Sequence, residues 1–163
     1  TGTFLLSQTR ARDGDSRKFQ LSPIVKVSTS KNPTMDAGRL NVNLLMDGKL
    51  PDDGWRSTWT AWFKVDPVVT FDLGVDKKIG IVRIYFQSTD RADEFAEVKV
   101  EVSRDGKQFV DFNEYEGFVT EKGKGAWAEI DLRAVNARYF RLSPKFQGWG
   151  HLWGEVEFWE ISK

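Results

Sequence analysis

Valines at 98, 100 and 102 alternate with Lys99, Glu101 and Ser103, and the run ends in Asp105-Gly106. A period of two puts the apolar side chains on one face and the polar ones on the other, as in a half-buried strand, and Asp-Gly closes it as a hairpin turn. Comparable runs recur at 25–29, 67–73, 79–86, 109–112, 126–132, 138–142 and 155–161, with glycine, proline and aspartate between them and no credible long helix. Eight or so short strands with turn signals at fairly regular spacing predict an all-β antiparallel jelly-roll sandwich, its strand order left open by periodicity alone. At 163 residues the chain is expected to form one domain with a self-sufficient core. Residues 22–163 are assigned to the sandwich, and 1–21, with the apolar run Phe4-Leu5-Leu6 and a charged stretch around Gly14, to an N-terminal tail or linker with one strand in it.

Charge excludes several partners. Twenty-four basic residues balance twenty-four acidic ones, and no basic run offers the electrostatic grip that nucleic acid requires. The most apolar stretch, 79–86, is short and interrupted by Arg83, so no segment approaches the roughly 20 apolar residues that span a bilayer. Cysteine is absent, which removes disulfides and Cys-containing zinc sites. The first residue is Thr1 rather than Met, which suggests a processed or excised piece.

The chemistry is concentrated in two segments. Residues 44–63 hold the turns Asp47-Gly48 and Asp53-Gly54, then Trp55, Trp59 and Trp62. The tryptophan spacing fits one helical face, but Pro51, Ser57, Thr58 and Thr60 argue against a helix. Tryptophans so concentrated lie either in a core or at a surface that receives planar or apolar faces. Residues 146–153 form a second aromatic loop, in which Trp149 stands between two glycines that leave its ring approachable. Trp55, Trp127 and Trp159 read as core or sheet cover, whereas Trp62, Phe63 and Trp153 fit either role.

Several pieces stand in a familiar order: the 25–29 strand, Asp47-Gly48, Trp55-Arg-Ser-Thr-Trp59, Thr70-Phe-Asp-Leu-Gly74, Val102-Ser-Arg-Asp-Gly106, Ala137-Arg-Tyr-Phe-Arg-Leu142 and Glu155-Val-Glu-Phe-Trp159. Together they resemble the discoidin, or coagulation-factor type C, domains over roughly 22–161, and most of all the bacterial carbohydrate-binding modules among them. The resemblance implies a galactose-binding-like jelly roll that holds a structural Ca2+, binds a sugar in loops at one rim and accompanies a glycan-degrading enzyme without being a catalyst itself. It implies Asp47, Asp53 and Glu155 as calcium side chains, joined by carbonyls of the 44–55 loop. It implies Arg56, Trp59, Trp62, Trp149 and His151 at the sugar rim, with Arg91 standing in for a family arginine. Two positions depart from the family pattern: Arg56 replaces a galactose-contacting histidine and Asp53 replaces a calcium-ligating threonine. A forked, fixed-charge guanidinium suits a carboxylate or sulfate better than a neutral hydroxyl, so an acidic or otherwise non-galactose glycan is expected. The resemblance further implies a part of a larger, secreted or cell-surface bacterial protein.

Other readings stay open at this stage. Glu155 and Glu157, two apart on a strand, could mimic a glycosidase carboxylate pair. Tyr139, Arg141, Ser143 and Lys145 could share a face near His151, as a polysaccharide lyase would need. The single histidine and the absence of a Gly-x-Ser-x-Gly turn count against hydrolytic sites of other kinds. Alternating polar residues are also what any solvated sheet face shows. Protein or phospholipid adhesion, as in the animal members, is the third reading, weakened by the lack of cysteine.

Overall fold

The computed structural model describes residues 9–11, 17–34, 41–54, 58–87, 95–116, 123–146 and 150–162. The described residues form nine strands: β1 (Thr9–Ala11), β2 (Lys18–Ser22), β3 (Lys26–Thr29), β4 (Thr60–Phe63), β5 (Val69–Gln87), β6 (Phe95–Ser103), β7 (Val110–Glu116), β8 (Gly125–Phe146) and β9 (Gly150–Ser162). A single 3-10 turn, Val42–Met46, is the one helical element among the described residues. Every strand pairing is antiparallel, in the order β1-β2-β9-β5-β8-β6-β7, with β3 added to β5 and β4 to β9.

Two long strands turn this one sheet into a sandwich. The first part of β5 pairs with β3 and with β8 around Tyr139–Leu142, while its last part pairs with β9 and with β8 around Gly125–Asp131. Between these halves lie register shifts at Asp72/Lys77 and Ile79/Ile81. Bulges of this kind bend a strand and sharpen its twist, so the sheet curls over itself and its inner faces meet. Phe71 and Phe140 from one layer meet Phe158 from the other at ring separations of 5.3 and 4.9 Å. Around them Val82, Ile84, Phe86, Val98, Val100, Ile130, Leu132, Leu142 and Val156 close a dry core, the favourable term that offsets ordering of the chain.

The alternation thus identifies the core faces correctly, but it splits β5 and β8 into two strands each. Gly74 was expected to end a strand; at φ 87° it forms part of the bend inside β5, and a Cβ there would stand 2.9 Å from the Val25 side chain. In β8 the bend falls on Arg133 and Ala134, which hold φ of 53° and 73° without being glycine. The expected boundary at residue 22 also shifts. β2 is bonded along β9 from Lys18↔Ser162 to Ser22↔Phe158, and Phe19 is fully buried with Ile81 and Trp159 on the outer side of the sheet. Residues 18–22 are therefore part of the domain's sheet rather than of a tail.

Candidate functional site at the loop end of β4, β5 and β9

The register of β4 on β9 pairs Thr60 with Trp153, Ala61 with Leu152, Trp62 with His151 and Phe63 with Gly150. The register of β5 brings Gln87 opposite Leu152 and Gly125. One end of the sandwich therefore gathers the end of β5 and the starts of β8 and β9, with β4 alongside. Turn 51–54 is clamped to it: the Gly54 N–H donates to Gln87 Oε1 at 2.9 Å and to Gly123 O at 3.1 Å, and Asp53 Oδ1 accepts from the Gly125 N–H at 3.0 Å.

Two of the aromatic residues expected at this rim, Trp59 and Trp62, form its foundation. Trp59 is fully buried, stacked on Tyr85 at 5.5 Å and 11°, with its Nε1–H donating to Asp52 O at 2.9 Å. Trp62 is also fully buried, edge-on to Trp153 at 6.0 Å, with Nε1–H donating to Lys31 O at 2.8 Å. Indoles held on both a ring neighbour and a carbonyl have no face left for a ligand. His151 is 2% exposed and its Nε2 lies 2.9 Å from Asp66 Oδ1. As placed, Trp59, Trp62 and His151 are buried where β4 lies on β9, beneath this end of the sandwich. A Cβ on Gly150 would run into the Trp62 carbonyl, so the glycine is what lets β9 come this close to β4. Arg56, Arg91 and Trp149 lie outside the described residues.

Of the three expected calcium ligands, two come together. Glu155 is 3% exposed, and neither carboxylate oxygen has a hydrogen-bond partner. Burial, reinforced by the nearby Asp47 charge, pushes its pKa up to about 9, although the Val156 and Gly48 amides lie close enough to offset part of this. A cleft of about 110 Å³ beside it is lined by Ser22, Pro23, Met46, Gly48 and Glu157. Asp53 is not part of this pair; its carboxylate is engaged by the Gly125 amide. Among the described residues no three His, Cys, Asp or Glu side chains gather closely enough to hold a metal by side chains alone.

The catalytic alternatives do not assemble. Glu155 and Glu157 both line the small cleft, but Glu157 is ion-paired with Arg83 at 3.2 Å and accepts from Trp159 Nε1–H at 3.3 Å, and Glu155 is buried, so neither carboxylate stands free as a glycosidase pair requires. Arg141 is held by Glu101 at 2.7 Å and stacks 3.8 Å from the Phe109 ring; Lys145 pairs with Glu97 at 3.4 Å. Cross-strand charge pairs of this kind belong to a solvated sheet face. Sequence reasoning missed a ladder on the outer face of β5 and β8: Tyr85 meets Trp127 at 5.1 Å, and Arg83 lies 4.2 Å over Trp127 between Glu129 and Glu157. The spacing of Arg83, Tyr85 and Gln87 along one strand was the available signal, obscured by reading 79–86 mainly as apolar.

No curated protein matches this sequence. Among solved structures, truncated AlyQ with its CBM32 and alginate lyase domains is similar at a TM-score of 0.63 and 20% identity, over 89% of this chain and 34% of that one. This chain thus spans about a third of that protein. A CBM32 module from Clostridium perfringens, in complex with GalNAc-beta-1,3-galactose, aligns at a TM-score of 0.61 and 17% identity over 82% of this chain and 93% of that one. The lectin domain of lectinolysin, complexed with Lewis B antigen, aligns at 0.62 and 22% over 84% and 93%. These likenesses establish the sandwich fold. Residues 25–158 match the F5/8 type C domain itself, a family of non-catalytic binding domains, and the chain belongs to that family.

Proposed function

We propose that this domain is a carbohydrate-binding module whose sugar site is built by the loops at the β4, β5 and β9 end. The observation that carries the reading is the register along Gly150–Trp153, which brings together the flanks of the three segments holding Arg56, Arg91 and Trp149. Beneath them the buried Trp59, Trp62, Trp153 and His151 supply the rigid base that a preformed site needs. Family membership and the glycans named for the similar structures support the ligand class. Trp149 is the platform for the apolar face of a sugar ring, and Arg56 and Arg91 supply forked donors at its edge. Arg56 biases the site toward an anionic glycan; the CBM32 of AlyQ was solved in complex with 4,5-unsaturated mannuronic acid, which carries such a carboxylate. The domain targets a glycan-active protein of which it is one part, at the cell surface or outside the cell.

A structural Ca2+ belongs to the same proposal. Calcium takes six to eight hard oxygens, many of them backbone carbonyls, and a buried carboxylate whose oxygens complete no hydrogen bond is better matched by a cation than left alone in the interior. Glu155 and Asp47 hold the ion with carbonyls of the loop that follows the 3-10 turn, and the ion locks that loop against β9. Asp53, bonded to Gly125, stays outside its shell.

The test is an array of neutral and anionic glycans probed with the isolated domain in calcium, with Arg56→Ala and Trp149→Ala alongside. Binding to one glycan class, lost in both variants, is the expected outcome. Full affinity of Arg56→Ala for neutral galactose alone would contradict the anionic assignment, and absence of binding anywhere would contradict the sugar reading.

A further inference from the structure

We propose that the opposite end of the sandwich carries a second saccharide-binding groove, for neutral sugars. Two adjoining hollows, of about 390 and 470 Å³, share Phe112 and Val135 as a common floor. Each lies within the range of clefts that take small ligands, ~300–1,000 Å³. Ile79 pairs with Val135 at this end while Gln87 pairs with Gly125 at the loop end; eight residues of strand separate the two sites by roughly 25 Å. The groove is therefore independent of the loop site in geometry and goes beyond the function proposed for it.

Its lining has the two-sided chemistry of a sugar. Phe112 and Val135 are half-buried and Val110 is 62% exposed at the edge, an apolar bed suited to the C–H face of a pyranose. Around it stand Arg133, Gln108 and Asn136, exposed side chains that make no hydrogen bond or ion pair with any described residue. A guanidinium and two amides offer donors and acceptors to hydroxyls. Arg104 and Arg133 are balanced by Asp105 and Asp131 in the same lining. The groove thus has no excess charge for a polyanion, and a neutral ligand is favoured.

The backbone adds an independent observation. Arg133 and Ala134 both hold left-handed φ, 53° and 73°, where glycine or asparagine would be the unstrained choice. The Asp131 side chain accepts from the Arg133 N–H at 2.9 Å and fixes the turn. Strain of this kind concentrates at functional sites, and here it aims the one arginine of the turn at the groove.

The test is an NMR titration of the 15N-labelled domain with lactose and, separately, N,N′-diacetylchitobiose. The expected result is saturable shifts at the amides of Gln108, Phe112 and 133–136 with at least one of the two sugars. Phe112→Ala and Arg133→Ala should each weaken that titration tenfold or more and leave shifts at 150–153 unchanged. Because Phe112 also packs on the core, Arg133→Ala, in an exposed turn, keeps the test decisive should the first variant unfold. Groove amides that ignore both sugars, or a response that survives Arg133→Ala, would overturn the proposal. The loop site is read separately, by an anionic oligosaccharide at 150–153, so the two readings fail separately.

Discussion

Glu155 is the residue whose placement demands most. Its pKa, pushed by burial to about 9 from a usual 4.5, means that without a cation the folded domain holds a proton that the unfolded chain has released. The destabilisation is absent below pH 4.5, grows as pH rises from there toward 9, and has a slope of about 1.4 kcal/mol per pH unit for one group. In chelator, thermal stability should therefore fall as pH is raised across that window. Calcium should restore it, with a benefit that grows with pH. Glu155→Gln should flatten the chelator profile and abolish the calcium shift; melting curves at several pH values check both, and a calcium shift that persists in the variant would remove Glu155 from the ion's shell. At the same scale, Ala134→Gly should raise stability by up to about 1 kcal/mol by relieving left-handed φ, read from chemical denaturation. A loss of stability would show that the turn is not strained.

Among the elements, β2 was the least legible. Its five residues, Lys-Phe-Gln-Leu-Ser, alternate polar and apolar, but the run is short and follows a charged stretch, so the pattern alone marks a strand without marking it as domain rather than linker. What decides is distant: the free edge of β9 and the pocket between Ile81 and Trp159 that Phe19 fills. Phe19→Ala should cost about 3–5 kcal/mol, measured by denaturant titration; a change within error would return residues 18–22 to the tail. The long strands were half-legible for a related reason. Alternation marked the inward faces of β5 and β8, but Gly74 and the Arg133-Ala134 bend resemble chain reversals locally and become mid-strand bends only because both flanks find partners in the two layers. Arg83 shows the same limit at the level of one strand: between Glu129 and Glu157 it completes an outer-face network that no local pattern announces. Arg83→Ala, which leaves two half-buried carboxylates without their cation, should destabilise by about 3 kcal/mol, also measured by denaturation.

For the whole molecule, the all-β class and the family followed from ordered motifs, and the F5/8 type C match over 25–158 agrees with them. The site was legible only in outline. Composition shows that tryptophan is abundant near the loops, but an indole in a core and an indole on a platform have the same sequence. Trp59 and Trp62 turned out to be buried because β4 lies against β9 and their N–H groups reach Asp52 and Lys31 carbonyls. The molecule has an aromatic-braced end under the flanks of the three loop segments, with a charge-paired sheet face beside it. Isothermal titration of the isolated domain with an anionic oligosaccharide, in calcium, tests this most directly. Saturable binding that Trp149→Ala and Arg56→Ala both abolish, with melting temperatures unchanged, is the predicted result. No heat of binding, or affinity that survives both substitutions, would contradict it.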